Sequence, residues 1–147
     1  MGFHEAGALS TAPAATADTA YFSIWNGSGG AIRVREIGVY NTAATAGKLA
    51  IKRITARGTQ TGTIAFEKLD AGDVAVTVNL DFTYSAQPTV SGGYIRRSHI
   101  AAAVGAGFVW TWWAGMGLRV ENGAGIAIVV PTAVAGPACE VYAVIGE

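Results

Sequence analysis

The 147-residue chain is long enough for one domain with a core of its own. It is 51% hydrophobic but only 14% charged, against roughly 25% charged in a typical soluble domain. Ten basic and ten acidic residues cancel. That balance excludes the basic field which nonspecific nucleic-acid binding needs, and leaves little protection against self-association.

With so little charge, surface polarity must come from Thr, Ser, Asn, Gly and exposed backbone, or the surface must be buried against other molecules. Membership of a large assembly meets the second condition, because interface cores are depleted in charge. No run approaches the ~18 apolar residues of a membrane span, so no membrane partner is expected. The N-terminus lacks the basic start and apolar run of a secretion signal, which points to maturation in a cytoplasm.

Residues 6–18, "AGALSTAPAATAD", are rich in Ala, Thr and Pro and show no period. Pro13 interrupts any helix, and small side chains build no core face. The expectation is an extended N-terminal arm over residues 1–18, either disordered or laid across a neighbour, with Phe3 and Leu9 as its anchors. At ~3.3 Å per residue, residues 3–18 would span about 50 Å. Deleting 1–18 is expected to leave a β-domain of residues 19–147 folded.

From Tyr21 onward the texture is β. "TAYFSIWN" closes on the turn "GSGG". In "AIRVREIGVYN" (31–41), Ile32 and Val34 share one parity and Ile37 and Val39 the other, so a bulge is expected at Arg35–Glu36. "GKLAIKRITARG" (47–58) shows the same slip, with Leu49 and Ile51 in phase and Ile54 out of it. "DVAVTVNLDF" (73–82) alternates throughout, which predicts a half-buried strand with Val74, Val76, Val78, Leu80 and Phe82 inward. "PTVSGGYIRRSHI" (88–100) reads as a strand kinked at Gly92–Gly93. "GFVWTWW", "GLRV", "GIAIVV" and "CEVYAVIG" follow, while "SHIAAAVGAG" allows one short helical turn at most. About nine short strands with Gly, Asn and Pro punctuation predict an all-β antiparallel β-sandwich. The long connections and phase slips favour a jelly roll over a meander.

Catalytic and metal signals are sparse. His4 and His99 have no ligand-spaced neighbours, and "LDAGD" (69–73) is too short and too poor in carboxylates for a calcium loop. Each Gly-rich turn precedes a strand, whereas a phosphate loop needs a helix. Cys139 lies in a strand-like run with no base nearby and is read as a buried apolar residue. Arg96–Arg97 and Lys52–Arg53 are read as surface salt partners. No serine sits in a nucleophile elbow and no spacing singles out a carboxylate pair. The expectation is a protein that is not an enzyme and takes no cofactor and no metal.

Three of the four tryptophans fall in "FVWTWWAGMG" (108–117). On a strand, Phe108, Trp110 and Trp112 share one face, which can line a core. Trp113 must then point outward, beside Ala114, Gly115 and Met116. Sugar sites add polar groups next to the ring, so this setting favours a protein interface built on Trp113 and Met116.

The segments "AIRVREIGVYNTA", "LAIKRITARG", "GLRVENGAGIAIVV" and "CEVYAVIGE", in that order, resemble small jelly-roll virion proteins of tailed phages, the capsid decoration (cement) proteins and related structural proteins. The likeness spans roughly residues 20–146. It is one of strand texture, so it assigns no functional residue. It implies a noncatalytic protein that binds and stabilises the capsid shell, commonly as a homotrimer. Its partners would be further copies of itself and the major capsid protein, and its location the virion surface after synthesis in a host cytoplasm. The alternative is a carbohydrate- or receptor-binding module of a phage tail or fibre; a third is a lytic or depolymerising enzyme.

Overall fold

Short apolar runs separated by glycine-rich turns become strands throughout the chain. The computed structural model describes residues 2–113 and 115–147. Among them the regular structure is entirely β: β1 (Phe3–Leu9), β2 (Ala20–Asn26), β3 (Ile32–Asn41), β4 (Gly47–Ala56), β5 (Thr59–Ala65), β6 (Glu67–Lys68), β7 (Val78–Ala86), β8 (Thr89–Val90), β9 (Arg96–Ile100), β10 (Gly107–Thr111), β11 (Leu118–Val120), β12 (Ala124–Val129) and β13 (Cys139–Gly146). They form two antiparallel sheets packed face to face, a β-sandwich.

The first sheet runs β6-β1-β13-β3-β10, with β11 also on the free edge of β3. The second runs β5-β7-β2-β12-β4-β8, with β9 also on β4. The long-range pairs are nested: β1 with β13, β2 with β12, β3 with β10, and β4 with β9. The main core lies between the sheets and includes Phe22, Ile24, Ile37, Val39, Leu49, Ile51, Leu80, Trp110, Ile126, Ile128 and Ile145.

The expected slip in β3 is a bulge. Val144 of β13 pairs with Glu36 and Ile145 with Val34, which leaves Arg35 as the extra residue. At Gly92–Gly93 the expected single kinked strand is instead broken, with residues 91–95 outside both β8 and β9. β8 and β9 lie end to end along β4, with Ser91 and Ile95 donating backbone hydrogen bonds to Arg53 and Ile51 at 2.8 Å each.

Three further expectations need correction. The first is the arm. Residues 3–9 are extended, but as a strand inside the first sheet: all seven pair with β13, and His4 and Glu5 pair with β6 on the other side. Residues 10–18 then cross to the second sheet. Ser10 exchanges hydrogen bonds with Cys139, Asp18 N–H reaches the Val130 carbonyl, and the Asp18 carboxylate pairs with Lys52 at 2.8 Å. The inward residues of β1 are His4, Ala6 and Ala8, too small and too polar for an apolar period to show.

The second is the strand over 73–82. It begins only at Val78, because β2 and β5 both end opposite Val78–Asn79 and leave 73–77 without a partner strand. Residues 70–73 form a turn, and Val74 is 76% exposed. The third is β4, which runs past β12 from Ile54 to Ala50 without a slip. Ile54 is out of phase because it belongs to a second apolar cluster, on the outer face of the second sheet, with Ala20, Ala50, Ala127 and Val129.

Two expected outcomes follow from this register. Val78→Asp should destabilise the fold by about 4 kcal/mol, as a charge buried without a partner, while Val74→Asp should change stability by no more than about 0.5 kcal/mol. Deleting residues 1–10 should abolish cooperative folding, since it strips the whole flank of β13. Circular dichroism melts of the three variants check both.

Candidate interaction surface

The geometry around the tryptophans is set by the Arg35 bulge. β10 pairs with β3 from Tyr40 to Glu36, and β11 pairs with it from Val34 to Ile32. The edge strand therefore breaks at Arg35: the chain leaves the sheet after Thr111 and rejoins it at Leu118. Trp112 N–H donates to the Arg35 carbonyl at 2.9 Å, and Arg35 Nη1 donates to the Trp113 carbonyl at 3.3 Å. Met116 N–H closes a turn onto the same Trp113 carbonyl at 2.9 Å. Gly115, at φ 82°, takes the left-handed corner of that turn. At Gly117 a Cβ would lie 2.8 Å from the Val34 carbonyl oxygen, so only glycine lets the loop return to the edge.

The parity reading holds along this run. Trp110 is buried, with its ring 4.7 Å from that of Phe108, and Phe108 and Trp112 pack against the main core. Trp113 is 84% exposed and Met116 73% exposed, on a loop tied to the sheet. Ala114, between them, lies outside the described residues. Phe3 and Leu9 also face solvent, from opposite ends of β1. Phe3 lies on the Arg35 side of the sheet: a Cβ built on Gly146 would lie 3.3 Å from Arg35 Nε and 3.4 Å from the Phe3 ring. Leu9 sits six residues further along the strand, so the four nominated residues do not form one cluster.

The basic pairs split. Lys52 pairs with Asp18, but as a buried side chain and not at the surface, and Arg53 donates to the Arg119 carbonyl. Arg96 and Arg97 instead lie over aromatic rings, Trp112 at 4.8 Å and Tyr94 at 5.0 Å. Arg96 belongs to the second sheet and Trp112 follows the first, so this contact clips the sandwich along one edge.

Two arrangements escaped the sequence reading. On the outer face of the second sheet, the buried Asp81 carboxylate accepts two hydrogen bonds from Arg57 at 2.9 Å each and one from Thr63 at 2.7 Å. Tyr84 donates to the Asp81 carbonyl at 2.7 Å, and burial raises its pKa. On the outer face of the first sheet, the Tyr40 and Tyr142 rings lie near-parallel, and the Tyr142 hydroxyl donates to Glu36 Oε1 at 2.6 Å. That hydrogen bond, then burial, raises the Tyr142 pKa. Both arrangements depend on cross-strand register, and the sequence carries no signal for it.

No group of three His, Cys, Asp or Glu side chains among the described residues is placed to hold a metal. His4 is fully buried at the inward face of β1. Cys139 is buried, and that burial pushes its thiol up to about 11. A cleft of about 120 Å³ lies between Gly47, Lys48, His99, Ile100 and Val134, well below the several hundred Å³ of a small-molecule pocket. No protein-family model matches the chain, and no curated protein matches it significantly.

The raised thiol contributes to the alkaline behaviour. A group whose folded pKa is raised contributes stability that is complete below its ordinary value, here 9.0, and is lost as pH rises through about 11. Tyr21 and Tyr84, both raised by burial from 10.0, act in the same direction from about pH 10 upward and add to the fall. The melting temperature should therefore fall between pH 9 and 11, and Cys139→Ala should flatten that slope. Thermal melts across this range check it.

Proposed function

We propose that this chain is a noncatalytic structural protein of a tailed-phage virion, a decoration protein that binds the capsid shell as a homotrimer and stabilises it. The strand-texture resemblance suggests the role. The nested pairing of the two sheets agrees with the jelly roll that the resemblance implies. The observation that carries the reading is the pair Trp113 and Met116. Two large apolar side chains are held in solvent on a loop that hydrogen bonds fix in place. A preorganised aromatic anchor loses little freedom on binding, and Trp is enriched among interface hot spots.

The stabilising mechanism is mass action: a subunit that binds the assembled shell and not its dissociated parts shifts the equilibrium toward the shell. Neighbouring copies and the major capsid protein are the partners, and the capsid surface is the location.

Sedimentation of the purified protein should show a trimer. Trp113→Ala with Met116→Ala should weaken the association by about 30-fold or more and leave the melting temperature of the fold unchanged. Wild-type protein should also remain on purified shells after heating, and the double variant should wash off. A monomer at every concentration, together with no retention on shells, would overturn the proposal.

A further inference from the structure

We infer that the outer face of the first sheet carries a saccharide-binding platform made of Tyr40 and Tyr142, suited to neutral pyranosides. It rests on residues other than the Trp113 loop and stands whether or not the chain decorates a capsid.

Tyr142 of β13 is paired across the sheet with Gly38 of β3, and Tyr40 of β3 with Gly107 of β10. The Tyr142 ring lies over Gly38, and the near edge of the Tyr40 ring reaches Gly107. A Cβ at Gly38 would run into the Tyr142 ring, and one at Gly107 would lie 2.6 Å from Tyr40 Cδ1. Tyr142 thus leans from β13 over β3, and Tyr40 from β3 toward β10, so both lean the same way across the sheet. Their centroids are 6.5 Å apart and their planes differ by 13°. Tyr40 is 37% exposed and Tyr142 half-buried. The surface is rigid, because both residues are strand-borne and the Tyr142 hydroxyl is held by Glu36. Little ordering remains to be done on binding.

The chemistry around the rings selects the ligand. The face of a tyrosine ring is electron-rich, and the C–H groups on one face of a pyranose present the complementary partial charge. The sugar hydroxyls then project at the perimeter, where acceptors are needed. Glu140 faces Tyr40 across the strands, Glu36 adjoins the Tyr142 hydroxyl, and Glu5 lies on β1 two residues from Gly7, the partner of Tyr142. This acidic rim disfavours phosphates and acidic sugars. A quaternary ammonium needs rings inclined to one another as a cage, and two rings only 13° apart form none. The same rim argues against this face pairing with its own copy, since like carboxylates would meet.

The full-length protein is titrated calorimetrically with neutral hexasaccharides, namely cellohexaose, chitohexaose and maltohexaose, with an oligogalacturonate as the acidic control. At least one neutral ligand should bind and the acidic one should not. Tyr40→Ala should weaken that binding by about tenfold or more, and Trp113→Ala should leave it unchanged. Melting temperatures within a few degrees of wild type, about 3 °C, show that the fold persists. The inference is overturned if no neutral ligand binds at millimolar concentration, or if binding survives Tyr40→Ala. It is also overturned if Tyr40→Ala changes the oligomeric state and not the sugar binding, which would make the face a self-contact. The Trp113→Ala arm separates this outcome from the fate of the decoration reading.

Discussion

One inserted residue in β3 decides what this molecule presents to its surroundings. Without the bulge at Arg35, a strand with Ile32 and Val34 inward would turn Ile37 and Val39 outward. With it, all four reach the core, and Glu36, Gly38 and Tyr40 face out. The partner edge cannot follow the insertion, so β10 stops at Glu36 and β11 resumes at Val34. The chain between them is expelled as a loop with Trp113 and Met116 at its corners. The loop and the tyrosine platform thus share one cause, although they lie at different points along the strand. A bulge re-aims side chains and ends pairing, and here it does both.

The low charge of the chain makes sense against the layering. The two sheets share a main core, and the second sheet carries a further apolar layer outside, where Trp25, Tyr84 and Val90 pack against Ile54, Ala50 and Ala127. Central strands β2 and β12 are consequently apolar on both faces. The few charges near this layer are committed: Arg57 to buried Asp81, Lys52 to Asp18. Breaking either pair would leave an uncompensated charge, so these contacts specify the arrangement more than they add net stability.

What could be read in the sequence followed from local parity. The Arg35 bulge was legible because apolar residues change phase on both sides of it. The division between inward Trp110 and outward Trp113 was legible for the same reason. β1 was not, since Ala6, Ala8 and His4 leave no apolar stripe, and its seven pairs lie with residues at the far end of the chain. Residues 73–77 alternate as a strand should, but alternation does not supply a partner strand. Ile54 looked like a slip because a single buried face was assumed, and the second sheet has two. Tyr40 and Tyr142 form a site only through two cross-strand pairs with glycine, which no local pattern encodes.

The two outer faces of the sandwich end up unlike each other, and this asymmetry orients the functional reading. The second sheet covers much of its outer face with its own side chains, including the Asp81 network and the aromatic contacts of Arg57 and Lys52, although Tyr94 stays 41% exposed. The first sheet leaves Leu9, Tyr40 and Val109 in solvent on or beside its outer face, with Trp113 and Met116 at its broken edge. An apolar surface of this kind on a protein with no net charge gains free energy from a complementary partner, at about 25 cal/mol per Å² before the costs of association. The proposed contacts therefore both lie on the first sheet. Its broken edge suits a protein neighbour, because bulky side chains there project beyond the backbone. Its centre suits a flat ligand, because the glycines paired with the tyrosines keep that surface level.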